Sequence, residues 1–252
     1  MSRWLRRALA GAVVVQVAVQ YLDRRPPGDR ERWQRENFRG TPVSLVAGPA
    51  LAIAVSSTGP GVAGAIAGIG AGLAGVHDDL AGDTAAAKGF RGHLAALRRG
   101  RLTTGTTKVI AISATGFVAA ACVRPRRDVL LAGAVVAGSA NLVNLLDLRP
   151  GRALKVGVAG GVVLGQPGVV GACAALLPGD LAERRMLGDA GANALGAVLG
   201  VALLRHLRMR AARQVVLGLL IALTAASERV SFSQVIDRTP ALRRIDQLGR
   251  RP

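Results

Sequence analysis

The chain has 252 residues, half of them apolar, yet only 3% are aromatic and 33 are glycine; a soluble core draws more of its buried area from Phe, Tyr and Trp, whereas Ala, Val, Leu and Gly in this proportion suit helices packed closely in lipid. The formal charge is +18, from 33 Lys+Arg against 15 Asp+Glu, but the basic residues fall between apolar runs, the pattern of a membrane protein with basic loops and not of a nucleic-acid partner. The absence of a Gly-X-Y period excludes collagen, and Cys122 and Cys173, both inside apolar runs, exclude a disulfide scaffold.

Apolar runs bounded by basic breaks predict a single all-α, polytopic domain over 1–252 with about nine transmembrane helices, within a range of eight to ten. In chain order the runs are Leu5–Leu22, Val43–Ser57, Gly61–Val76, Lys108–Val123, Val129–Leu146, Ala153–Gly165, Gly168–Leu177, Gly191–Leu204 and Val215–Ala226. Several fall short of the ~20 residues an untilted span needs. The two runs flanking Gln166-Pro167 read either as separate spans or as halves of one broken helix. Gly64, Gly68 and Gly72 repeat every fourth residue, as do Gly157, Gly161 and Gly165, and Gly196 with Gly200. That spacing clears a helix face for close backbone packing.

With nine spans, alternate loops carry 23 Lys+Arg on one side and 10 on the other. The positive-inside rule then puts the N-terminus outside and the C-terminus in the cytoplasm. Arg124, Arg126 and Arg127 run against that rule. Fourteen of the 15 acids share the cytoplasmic side, Asp128 being the exception. Carboxylates gathered there beside Arg and Lys point either to a site for a metal ion and phosphates or to simple charge balancing.

Four constellations could carry chemistry. Asp78-Asp79 ends the third run, where acids oppose the helix macrodipole and need a cation, metal or basic side chain. Asn141, Asn144 and Asp147 stand three apart, hence on one drifting helical stripe. Carboxamides there suit a nucleobase edge, or hold helices together. Gly188, Asp189 and Gly191 precede the eighth run, where free backbone N–H groups favour an anion and Asp189 suits Mg²⁺ at a diphosphate; an ordinary N-cap is the alternative. Thr103-Thr104-Gly105-Thr106-Thr107-Lys108, following a basic stretch that includes Lys88, suits a phosphate or anionic lipid headgroups. His77, His93 and His206 have no metal-ligand spacing.

The order and sidedness of Asp-Asp, Asn-x-x-Asn-x-x-Asp and Gly-Asp-x-Gly resemble one family, the polyprenyl-phosphate N-acetylhexosamine-1-phosphate transferases, which include phospho-N-acetylmuramoyl-pentapeptide transferase. The resemblance runs from about Asn37–Pro42 to Arg238–Pro240. It implies a bacterial plasma-membrane enzyme of cell-envelope polymer synthesis. Such an enzyme transfers a phospho-sugar from a UDP-sugar to a polyprenyl phosphate, releases UMP, and uses Mg²⁺ at a cytoplasmic site. Its partners are those two substrates and membrane lipid, with a homo-oligomer also open. Carried across by position, Asp78, Asp79 and Asp147 are the implied catalytic acids. Asp189 with Asp78 forms the implied metal site, and Lys88, Lys108, Asn141, Asn144, Gly188 and Gly191 the implied substrate contacts. Two departures stand out. Pro150 occupies the position of the family's second acid after the asparagine stripe, and no histidine follows His206, so that Arg243, Arg244 and Arg250 stand where a histidine loop is usual. A non-catalytic relative that binds lipid phosphate or nucleotide, or scaffolds an envelope complex, is the alternative.

Overall fold

A computed structural model describes residues 1–81 and 103–251. Lys88 and the basic stretch around it lie outside the described residues. Among these residues there are eleven α-helices. They are α1 (Arg3–Arg24), α2 (Ala47–Thr58), α3 (Gly61–Ala81), α4 (Thr104–Ala121), α5 (Val129–Leu146), α6 (Arg152–Val163), α7 (Pro167–Leu181), α8 (Gly188–His206), α9 (Arg210–Ser227), α10 (Phe232–Arg238) and α11 (Pro240–Gln247). The described extended segments form one antiparallel hairpin, β1 (Gln34–Glu36) against β2 (Pro42–Ser44), with Arg35 opposite Val43. The all-α reading holds.

Helix starts follow ordinary capping chemistry. Ser2 accepts from the Leu5 N–H at 3.2 Å and Thr103 from the Thr106 N–H at 3.1 Å, while Pro167 opens α7, where its missing N–H is no loss. Thr103 therefore starts α4 one turn before Lys108. The second run, expected from Val43, becomes helical only at Ala47. Its first residues are engaged elsewhere: the Leu45 N–H donates to the Trp33 carbonyl at 2.8 Å and the Met186 N–H to the Ser44 carbonyl at 2.9 Å.

Gln166-Pro167 is a reversal between two helices. A Cβ on Gly157 would meet Cys173 and one on Gly161 would meet Val170 at 2.8 Å, so α6 and α7 lie antiparallel. Gly165, at φ +64°, supplies the left-handed turn.

Helix α8 is the hub. Every residue from Ala190 to Ala202 is buried, as an all-round apolar helix must be. Small residues let its neighbours close in: Gly196 and Gly200 lie against Ser139 and Val136 of α5, Gly191 against Gly48 of α2, and Gly75 of α3 against the Asp189–Ala190 backbone. Among the described residues three helices are long and apolar enough to cross a membrane, Arg3–Arg24, Arg126–Leu146 (α5 with its preceding 3-10 turn) and Arg210–Ser227; Ala47–Thr58 and Pro167–Leu181 are shorter apolar helices. Successive helices α1 to α9 run to and fro, so the starts of α4, α6 and α8 and the ends of α3, α5 and α7 meet at one end of the bundle.

Candidate functional site

At that end, α3 brings Asp78 and Asp79, α4 brings Lys108, and α8 brings Asp189. Lys108 Nζ donates to Asp78 Oδ2 at 2.6 Å and also to Asp189 Oδ2. All three side chains are less than a quarter exposed, so the ammonium sits between two carboxylates largely shielded from water. Residues 78, 108 and 189 are far apart in the chain, and the close α3–α8 packing through Gly75 brings two of them together.

Asp79 does something different. Its Oδ1 accepts from the Asp189 N–H at 3.0 Å and its Oδ2 from the Ala190 N–H at 2.9 Å. A carboxylate at the C-terminus of α3 is thereby stabilised by the N-terminus of α8, which favours negative charge. The anion at the Gly188–Ala190 turn is Asp79 itself. Gly188, at φ +58°, makes that turn, and a Cβ on it would stand 2.9 Å from Asp79 Oδ1. Arg35 on β1 donates to the Asp79 carbonyl, so the hairpin is tied to the same helix end. Beyond it, Asn37 Nδ2 donates to Glu183 Oε2 at 2.6 Å, and Arg149 lies 4.2 Å over the Phe38 ring.

Asn141 Nδ2 donates to Thr224 Oγ1 of α9 at 2.9 Å, a bond between helices. One turn nearer the site, the Asn144 carbonyl accepts from the Asp147 N–H at 3.1 Å as α5 ends. Burial pushes the Asp147 carboxyl well above the usual carboxylate range; Asp180, Asp189 and Asp79 add to the rise and Arg152 opposes it.

Asp180 was missed in the sequence, because Pro178 reads as the end of a helix. The helix instead continues to Leu181: Pro178 has no N–H to give the Ala174 carbonyl, but its own carbonyl still accepts from the Ala182 N–H at 3.2 Å. Asp180 is buried and accepts from the Gly151 N–H. It therefore holds the left-handed Gly151 beside Pro150, at the corner where the sequence lacks an acid.

The tail closes this end. Arg152, at the start of α6, donates through Nε to Asp246 Oδ1 at 2.9 Å and through Nη2 to Oδ2 at 3.1 Å; Arg250 Nη2 reaches the same Oδ1 at 2.7 Å. Arg250 also donates to the Pro150 carbonyl at 2.9 Å, whereas Arg243 and Arg244 remain exposed.

Whether these residues suit a divalent ion follows from the donor set. Among the described residues no group of three or more His, Cys, Asp and Glu could hold a metal by itself. Mg²⁺, however, is usually bound through one or two carboxylates plus substrate phosphates and water. Asp78 and Asp189 converge on one cation, that of Lys108, and so fit an ion whose remaining ligands come from a diphosphate.

No family model, curated protein or solved structure matches the chain.

Proposed function

We propose that the chain is a Mg²⁺-dependent polyprenyl-phosphate sugar-1-phosphate transferase, lying in the bacterial plasma membrane with nine passes and the acid-rich end in the cytoplasm. The N-terminus lies outside and the C-terminus inside. The observation that carries this reading is the meeting of Asp78, Lys108 and Asp189, with Asp79 and Asp147 close by, at the end that holds the acids. An arrangement of two converging carboxylates and a lysine suits a site that neutralises phosphates. Helices α2 and α6, at 12 residues each, rise only about 18 Å, so the nine-pass reading requires local thinning of the bilayer around them.

In the reaction an oxygen of the lipid phosphate bonds to the sugar-bearing phosphorus of the UDP-sugar. The bond from that phosphorus to UMP breaks, and UMP leaves with the electron pair. Positioning and charge neutralisation dominate such transfers. Lys108 exchanges its two carboxylate partners for phosphate oxygens as substrate arrives. Asp79 keeps the α8 N-terminus in place and so orients Asp189. Asn144 and Asp147 meet the nucleotide. Mg²⁺, held by Asp78 and Asp189, would supply neutralisation of charge on the transferring phosphoryl group.

The test is UMP release by the purified protein from a panel of UDP-sugars with polyprenyl phosphate, with and without Mg²⁺. Release that requires lipid and Mg²⁺, and that is abolished by Asp189→Asn, is expected. Undiminished release by that variant would refute the metal assignment. A second reading, a non-catalytic binder of lipid phosphate or nucleotide or an envelope-complex scaffold, is favoured by one observation: Lys108 already ion-pairs with both carboxylates. No release across the panel from protein that still binds nucleotide or lipid phosphate would select it.

A further inference from the structure

The opposite end of the bundle has its own charge problem. Two segments far apart in sequence, 122–129 at the α4–α5 junction and 204–214 across the end of α8 and the start of α9, contain seven arginines and one acid, Asp128. The fold brings them together. Arg210 Nη1 and Arg213 Nη2 reach the two oxygens of Asp128 at 2.8 and 2.9 Å. Arg124 donates to the Leu204 carbonyl, Arg213 to those of Leu207 and Arg208 at 2.9 and 3.1 Å, and Arg205 to that of Pro60 at 2.8 Å.

Part of this basic charge has an internal role, since guanidinium groups satisfy carbonyls at the C-terminal end of α8. That role does not use up the charge. The buried Nε atoms of Arg124 and Arg213 have no hydrogen-bond partner, and Arg126, Arg127 and Arg208 are exposed. One carboxylate cannot balance seven guanidinium groups gathered in these two segments.

Exposed aliphatic side chains stand on the same helices within two turns of these ends. Leu130, the second residue of α5, is 72% exposed; Val215 in α9 is 64%, and Val118 in α4 is 55%. Exposed guanidinium groups at helix ends, with exposed aliphatic side chains further along the same helices, fit a ligand with both an anionic head and hydrocarbon chains. Free phosphate would use only the guanidinium groups.

We propose that this arginine-rich end is a docking surface for anionic phospholipid headgroups, with Arg126, Arg127 and Arg208 meeting the phosphate and Leu130, Val215 and Val118 flanking the chains. The inference rests on the membrane reading of the chain and not on its transferase activity. Bound anionic lipid also accounts for arginines gathered on the side that the positive-inside rule leaves poor in them.

Cys122 allows a local test, because it is exposed beside Arg124 while Cys173 is buried. The full chain, labelled at Cys122 with a fluorophore, is reconstituted in phosphatidylcholine bilayers containing doxyl-labelled phosphatidylglycerol or doxyl-labelled phosphatidylcholine. Half-quenching at a several-fold lower fraction of the phosphatidylglycerol quencher is expected. The triple variant Arg126→Gln, Arg127→Gln, Arg208→Gln should remove that difference, and Arg243→Gln with Arg244→Gln, at the other end, should retain it. Equal quenching by both lipids in the wild type, a preference that survives the triple variant, or one lost in the Arg243/Arg244 control would overturn the proposal. Relief of the quenching by millimolar inorganic phosphate would also overturn it, in favour of a phosphate site. UMP release measured in the same bilayers reads the transferase separately, so failure of either idea leaves the other standing.

Discussion

Asp246→Ala tests how the C-terminal segment is held over the site. Asp246 and Arg152 are each only 5% exposed, and the guanidinium of Arg152 spends two of its donors on this one carboxylate, at 2.9 and 3.1 Å. Removing the acid leaves Arg152 buried with Ser233 Oγ, at 3.1 Å, as its remaining side-chain partner. Loss of one member of a buried ion pair costs about 3–5 kcal/mol. At 1.4 kcal/mol per tenfold, that raises the undocked population of the tail about a hundredfold or more. The readout is trypsin cleavage after Arg243 and Arg244 in detergent-solubilised protein, supported by hydrogen exchange of the α11 amides. Cleavage should accelerate until docking no longer limits it. Replacing both partners, Arg152→Met with Asp246→Leu, should restore most of the protection, because a buried pair contributes little beyond an apolar pair of similar volume. Cleavage within twofold of wild type in Asp246→Ala would refute the reasoning.

The same pair sets a pH dependence. Burial pushes the Asp246 carboxyl up, but the hydrogen bond from Arg152 and the charges of Arg152, Arg250 and Lys155 outweigh it and hold the carboxyl below the usual range. A depressed value stabilises docking above the unfolded carboxylate value of about 3.9 and ceases to as pH falls through the folded value. Exchange protection of α11 should therefore hold from neutral pH down to about 4 and fall below it. Gly75→Leu should separate α3 from α8, since even a Cβ at that position overlaps the Asp189 backbone; a loss of roughly 1–3 kcal/mol or more would appear as a lower unfolding temperature together with lost UMP release. Asn141→Ala should lower thermal stability by about 0.6 kcal/mol with UMP release kept, whereas Asn144→Ala should raise the KM for the UDP-sugar. Equal effects of the two substitutions on KM would contradict a purely interhelical role for Asn141.

The sequence by itself determined what depends on local pattern. Runs of apolar residues between charged breaks set the all-α character and the order of the helices, because a helix needs only its own neighbours for its hydrogen bonds. Ser2, Thr103 and Pro167 mark starts that need no distant partner. The alternation of runs also sorted the acids to one end, so Asp78, Asp79, Asp147 and Asp189 were legible as a group before any of them had a neighbour. Only the tertiary structure decided which groups touch, since that depends on the rotation and closeness of helices far apart in the chain. Asn141 lies on a legible stripe, yet nothing in that spacing reveals that its side chain bonds Thr224 on α9. Asp180 could not be found from spacing, because its role arises only where α7 folds back to bring it to Gly151. The same holds for Lys108 between Asp78 and Asp189 and for Arg152 with Asp246: a charge is stabilised by whatever packing brings within about 3 Å of it, and linear order carries no record of that distance.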